Sequence, residues 1–370
     1  MFLEHREILQ FKGPVPEGDY QIPFGQGAVY TAAWTLHWTN PTTMLCGNTD
    51  IKGIRSTDGG MSWQHVFNTF SFNTVYSFVQ KGTILYAATS TVHDLYQSTY
   101  LTDIRIDNGK GTIIMSTDNG STWSNKWDMN HVVSWITLDA QDSNTMYASI
   151  AHSKDGGIYV NNNISGGGTW TKLATPPRTE GHPLVIRSLK DGSLVVSYSG
   201  RRVGSAFTAS SGVFYSTDKG KTWIDKSSNE MKYWTKDIVI DPHDPLQKTW
   251  YACSWSGWGG APNGLGGLYR TTDRGNTWSR ILDLPSRAQN TNRVSSCTVH
   301  PLRANEMYVT TETDGLWYTA DLQQNTPTFT ALATYPFRQP ERVFFNPYAQ
   351  DEVWITSFGN GMRIGATSAP

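Results

Sequence analysis

Two short segments each place an aspartate where acid–base chemistry could use it. One reads Thr49-Asp50-Ile51-Lys52-Gly53. The other reads Trp234-Thr235-Lys236-Asp237-Ile238-Val239-Ile240-Asp241-Pro242. Paired carboxylates are what glycoside hydrolysis needs: one protonates the leaving oxygen, and the other activates water or attacks the sugar. Trp234, Trp255 and Trp258 stand near the second segment, and flat aromatic faces beside carboxylates suit the apolar faces of sugar rings. Arg201, Arg202, Arg293, Arg338 and Arg342 offer a second chemistry. Guanidinium groups clamp a uronate or sulfate bidentately. With His93, His182 and Tyr96 as base and acid, such a clamp makes a polysaccharide lyase site. Glu312, Asp314 and Glu341 add carboxylates, and His131 adds another imidazole. Each residue also has an ordinary role open to it. Asp50 can bond its own loop, Asp237 can cap a strand, tryptophans can cover loop backbone, and arginines can snorkel. A third class stays open: a protein that binds glycan or protein and catalyses nothing.

The elements that position these residues announce themselves by repetition. STDGGMSW runs from Ser56 to Trp63, STDNGSTW from Ser116 to Trp123, STDKGKTW from Ser216 to Trp223, and TTDRGNTW from Thr271 to Trp278. A damaged copy ends in GGGTW at Gly166–Trp170. Each copy lies between two short β-like runs, so each is read as the turn of a hairpin. Its Asp accepts backbone N–H groups of the turn, its Gly supplies positive φ, and its Trp buries a large flat surface. Asp58, Asp118, Asp218 and Asp273, with Trp63, Trp123, Trp223 and Trp278, are therefore structural.

The pattern resembles the Asp-box (BNR) repeat of β-propellers. Reading the intervening strands in the same frame predicts an all-β chain: one seven-bladed propeller over residues 1–370, forming a single domain. The last blade has only three strands of its own, and REILQF near the N-terminus is expected to supply the fourth. Propeller ligands are expected at the face carrying the loops between second and third strands, opposite the Asp-boxes. That face collects Asp50 and the long loop Ser90–Gly111 with His93, Asp94, Tyr96 and Arg105; loops of such length are usually functional or disordered.

A second resemblance adds a function. Asp-box hydrolases acting on xyloglucan carry T-D-I/V-G-G with a catalytic Asp, which Thr49–Gly53 matches except at Lys52. Their partner Asp lies in a segment similar to Trp234–Pro242. The resemblance implies a secreted glycoside hydrolase with Asp50 and Asp237 as the acid/base pair. From their chemistry and their place on the loop face, Trp234, Trp255 and Trp258 are expected as sugar platforms, and His93, Tyr96, His182, Arg201, Arg202, Arg293, Glu312 and Arg338 as substrate contacts. Those enzymes set two propellers face to face, whereas this chain has room for one. Sialidases share the boxes, but FRQP at Phe337–Pro340 lies at the wrong end for their arginine motif, and the blade count differs.

Composition narrows the rest. The net charge is −1, so no basic surplus argues for nucleic acid. No apolar run is long enough to span a membrane. MFLEHREILQF lacks the long apolar core and cleavage site of a signal peptide. The 3 cysteines are odd in number and follow no zinc spacing, and they read as small buried hydrophobes. No cofactor is expected. A structural calcium is compatible with the carboxylates, although no EF-hand loop calls for one. The expected partner is a polysaccharide or oligosaccharide, and the expected state is a monomer.

Overall fold

The computed structural model describes residues 31–67, 69–95, 102–204, 206–231, 234–256, 265–284 and 293–367. They form an all-β, seven-bladed propeller. Each blade is an antiparallel meander with its strands in chain order from the centre outward. The innermost strands are Ala33–Trp38, Thr74–Lys81, Val132–Leu138, Pro183–Ser188, Trp234–Ile240, Val294–Val299 and Pro340–Asn346. Blade seven has three strands among the described residues. REILQF, Tyr96 and Trp258 lie outside them. Two small elements interrupt the pattern: a short helix, Asp103–Asp107, within the long loop of blade two, and a hairpin, Arg202–Val203 with Ala206–Phe207, within blade four.

The central strands of the blades are buried on both faces, so they read as continuous apolar runs such as Leu194–Tyr198. Burial is organised blade against blade. Tyr86, Ala88 and Ile113 of blade two pack on Val133, Ile136 and Met146 of blade three. Cys253 and Leu268 of blade five pack on Val294 and Cys297 of blade six. The ring closes where Trp354 of blade seven meets Trp38 and Trp63 of blade one edge-on, with ring centroids 6.4 and 6.3 Å apart. All three cysteines are free and buried.

The Asp-boxes fold as read. In the second, Asp118 Oδ1 accepts from Ser116 Oγ at 2.8 Å and from Thr122 N at 2.9 Å, while Oδ2 accepts from Thr122 Oγ1 at 2.6 Å. Asn119 and Gly120 both take positive φ, and so do the matching pairs in the other boxes. The second of the two is Gly each time; a Cβ on Gly60 would lie 2.3 Å from the Trp354 ring. A further box escaped the sequence pattern. Thr319 Oγ1 donates to Asp321 Oδ1 at 2.6 Å, and Thr328 N donates to the same oxygen at 2.8 Å.

One irregularity recurs in every blade. Each innermost strand holds one extra residue near its start, where its pairing with the second strand slips. The extra residues are Trp34, Tyr76, Ser134, one of Leu184–Val185, Lys236, Ser295 and Glu341, and all are buried. Such bulges re-aim side chains. Here they set what fills the channel.

Candidate functional site

The channel is crossed by side chains. Arg342 reaches from blade seven to lie over the Trp135 ring of blade three, 5.0 Å from its centroid. Arg187 of blade four covers the same ring at 5.1 Å. Arg342 Nη1 also donates to Asp237 Oδ2 at 2.6 Å, and Ser296 Oγ donates to that oxygen at 2.7 Å. Arg187 Nη2 stands 3.5 Å from Asp237 Oδ1. Asp237 is 0% exposed. It is a carboxylate held by two guanidinium groups and a hydroxyl inside a packed interior.

Beside it, Lys236 Nζ donates to Glu341 Oε2 at 3.0 Å. This bond links blades five and seven past blade six, whose own bulge residue, Ser295, is small. Lys236 also lies 4.6 Å from the Trp255 ring centroid. Burial pushes the lysine pKa down and the glutamate pKa up, and the ion pair pulls each back. Arg293 pairs with Glu312 in the same region.

Trp234 and Trp255 are fully buried, with rings 5.3 Å apart. Both belong to the buried core cluster and not to the solvent-facing rim where sugar platforms were expected. Trp34, Tyr76, Leu184 and Val185 join the same buried cluster. His182 is 5% exposed, and burial lowers its pKa, so it too faces inward.

The loop face carries the remaining candidates. Asp50 is exposed and left-handed, at φ 62°, followed by Lys52 at 66°. Its carboxylate accepts Asn73 Nδ2 at 3.0 Å, and its amide donates to Asn73 Oδ1 at 3.2 Å. The structure thus puts Asp50 on the rim and Asp237 in the interior. Arg201 holds Asp103 of the short helix by Nε at 2.9 Å and Nη2 at 2.5 Å. Arg202 caps its own hairpin through Gly204 O at 2.9 Å. Arg105 Nη2 meets His93 Nε2 at 2.9 Å, and His93 Nδ1 meets Asp94 at 2.6 Å. Arg338 Nε donates to Thr313 O at 3.3 Å. Arg105, His93 and Thr102 line a shallow depression beside the helix. Ile104 on that helix and Val203 on the hairpin are 77% and 58% exposed, and a bridge between Thr102 and Arg202 brings the two elements together.

Sequence reasoning missed Trp135, Arg187 and Asp103. Lone residues of these types carry no local signal; their partners lie on other blades.

Fold and boxes define a seven-bladed Asp-box propeller. No family model matches the chain, and no curated protein does. Solved structures do match. YCF48 bound to D1 peptide superimposes with a TM-score of 0.61 at 12% identity, covering 92% of this chain and 94% of that one. The GH74 xyloglucanase from Xanthomonas campestris gives 0.65 at 14% identity, over 92% of this chain and 53% of that one. An ancestral GH74 enzyme gives 0.65 at 14%, over 93% and 46%. This chain therefore spans nearly all of the YCF48 structure and about half of these two enzymes. At such identities the likeness is one of fold.

Proposed function

We propose that this protein is a non-catalytic binding propeller that takes an extended polypeptide segment on its loop face. One observation carries the reading: Arg342 crosses the channel and pairs with a fully buried Asp237, so among the described residues Asp237 does not meet solvent opposite Asp50. The rim supports a polypeptide over a sugar. Among the described residues its large exposed apolar side chains are the aliphatic Ile104 and Val203, set among arginines, histidines and carboxylates, and Trp234 and Trp255, two of the three tryptophans expected to stack on sugars, are buried. The whole-chain likeness to a propeller solved with a peptide agrees with this.

A second reading rests on Asp50. An exposed carboxylate in a left-handed backbone, pinned by Asn73, is the kind of strain that gathers at functional sites. It matches the T-D-I-x-G resemblance and favours a glycan-cleaving role with the second carboxylate supplied from elsewhere.

Peptides selected from a random display library, and a panel of xyloglucan, other β-glucans, pectins and sulfated glycans, separate the two. Selected peptides should bind the wild type and lose at least about tenfold affinity with Ile104→Asp. New reducing ends from any glycan, lost in Asp50→Asn, would refute the binding reading.

A further inference from the structure

Between blades two and three the loop face gathers three side chains whose joint chemistry the channel does not use. His131 ends the crossover into blade three. His152 and Asp155 lie on the loop after the second strand of that blade, Met146–Ala151. His131 Nε2 is 3.7 Å from Asp155 Oδ2, and His152 Nδ1 is 3.6 Å from the same oxygen. One donor atom from each of the three falls within 4.8 Å of the other two. Zinc bonds of about 2.0 Å set the donors of a tetrahedral ion about 3.3 Å apart. The carboxylate pairs need to contract by only a few tenths of an ångström.

The surroundings hold this loop in place. His152 N donates to Gly181 O at 3.1 Å, and Gly156 N donates to His152 O at 3.0 Å. A Cβ on Gly156 would lie 2.0 Å from Gly181 O, so the loop sits hard against the entry to blade four. Asp107, from the short helix, accepts Ser153 N at 2.8 Å and Ser153 Oγ at 2.5 Å, and its Oδ1 stands 3.8 Å from His152 Nε2. The amides of Lys154 and Asp155 donate to His152 Nδ1 at 3.1 and 3.0 Å. A cation taken at Nδ1 would have to displace those two amides from its lone pair. His131 Nδ1 is buried without a hydrogen-bond partner, leaving that ring untethered on its inner side.

We propose that His131, His152 and Asp155 bind one divalent first-row transition ion, with Zn²⁺ the reference case. Two imidazoles and one carboxylate suit zinc, nickel or iron. Nitrogen donors disfavour calcium and magnesium, which take oxygen. With three protein ligands, a fourth position stays open to water or to an anionic group of a ligand arriving on this face.

The full chain, stripped by a chelator, is titrated with Co²⁺ and then Zn²⁺, following Co²⁺ visible absorption and the heat of binding. One equivalent should bind, with a nitrogen–oxygen cobalt spectrum free of thiolate charge transfer, and Zn²⁺ should displace it. His131→Ala, His152→Ala and Asp155→Asn should each weaken binding by at least about tenfold. The Asp155 side chain is 61% exposed, so its amide variant retains the fold and separates ligand loss from unfolding. Absence of saturable binding, or binding unaltered in both His131→Ala and Asp155→Asn, overturns the proposal.

Discussion

Replacing Lys236 with Met should destabilise the fold by about 3–5 kcal/mol, the usual cost of orphaning one member of a buried ion pair. The pair is 3.0 Å long, and its side chains are 3% and 4% exposed. At that separation an effective dielectric of 20 gives an attraction of roughly 5 kcal/mol, against a desolvation cost of several kcal/mol per ion. The two nearly cancel while both ions are present. Without the ammonium, Glu341 keeps its desolvation cost and loses its main compensation. Glu341→Leu should cost a similar amount, since an ammonium is then stranded over the Trp255 ring. The double variant Lys236→Met/Glu341→Leu buries two apolar side chains of related volume and should return to within about 1–2 kcal/mol of wild type. Guanidinium unfolding at pH 7, followed by tryptophan fluorescence, measures all four corners of the cycle. Single replacements costing under about 1 kcal/mol, or a double variant as unstable as the sum of the singles, would refute the view that the bulge residues of blades five and seven are coupled across the channel.

Acid should weaken the protein through its paired carboxylates. Burial alone would raise Asp225 and Asp139, but Arg178 and Ser227 outweigh it for the first, and the Gln141 amide, Tyr147 and Lys219 for the second, so both pKa values fall below the ordinary range. A depressed folded value means stability present above the unfolded pKa of about 3.9 and lost as pH falls through the folded value. Asp218, brought down to about 2 by its Asp-box hydroxyls and amide, marks the lower end of the window. Denaturation midpoints should be flat above about pH 5 and drop below about pH 4; a rise between pH 5 and 3 would contradict the assignment. Asp321→Ala should cost about 1–2 kcal/mol by orphaning Thr319 Oγ1 and Thr328 N, and a neutral result would deny Thr319–Phe329 the standing of an Asp-box. Gly156→Ala should abolish Co²⁺ binding and lower the melting temperature, because its Cβ meets only backbone atoms that cannot swing away.

The scaffold was legible because an Asp-box is local. Ser116, Asp118 and Thr122 find one another within one hairpin turn, so their spacing survives in the sequence. The box at Thr319 was missed because its partner amide sits 7 residues beyond Asp321, where the intact boxes need 4, and Phe329 stands where the others have Trp. The bulges were not legible at all, since one extra residue exists only relative to a partner strand. The surroundings of the candidate site were less legible for a related reason. Trp234 and Trp255 were weighed by residue type, but their exposure depends on cross-blade neighbours. Lys236 and Glu341 are 105 residues apart, and neither segment hints at the other. Asp50 was different: its loop is four residues long, and its exposure follows from the turn itself.

The two faces also divide the labour of stability and recognition, and the short helix is where that division can be tested. The Asp-box face repeats one turn with little variation. The loop face departs from repetition in blades two to four, where the helix of blade two is fastened to blade four by Arg201–Asp103 and to blade three by Ser153–Asp107. The Arg201–Asp103 side chains are 34% and 26% exposed. The pair is bidentate but screened, so Asp103→Asn should cost about 1 kcal/mol of global stability or less. Its local effect should be larger, because the helix is only five residues long and buries only Ile106. Amides of 104–109 should exchange at least about fivefold faster in that variant, while the hairpins at Ser116–Trp123 and Ser216–Trp223 stay at wild-type rates. Equal acceleration everywhere would mean that the helix is part of the cooperative core. Acceleration confined to the helix would identify it as an adjustable rim element, built on a scaffold whose rigidity comes from the opposite face and from the crossed channel.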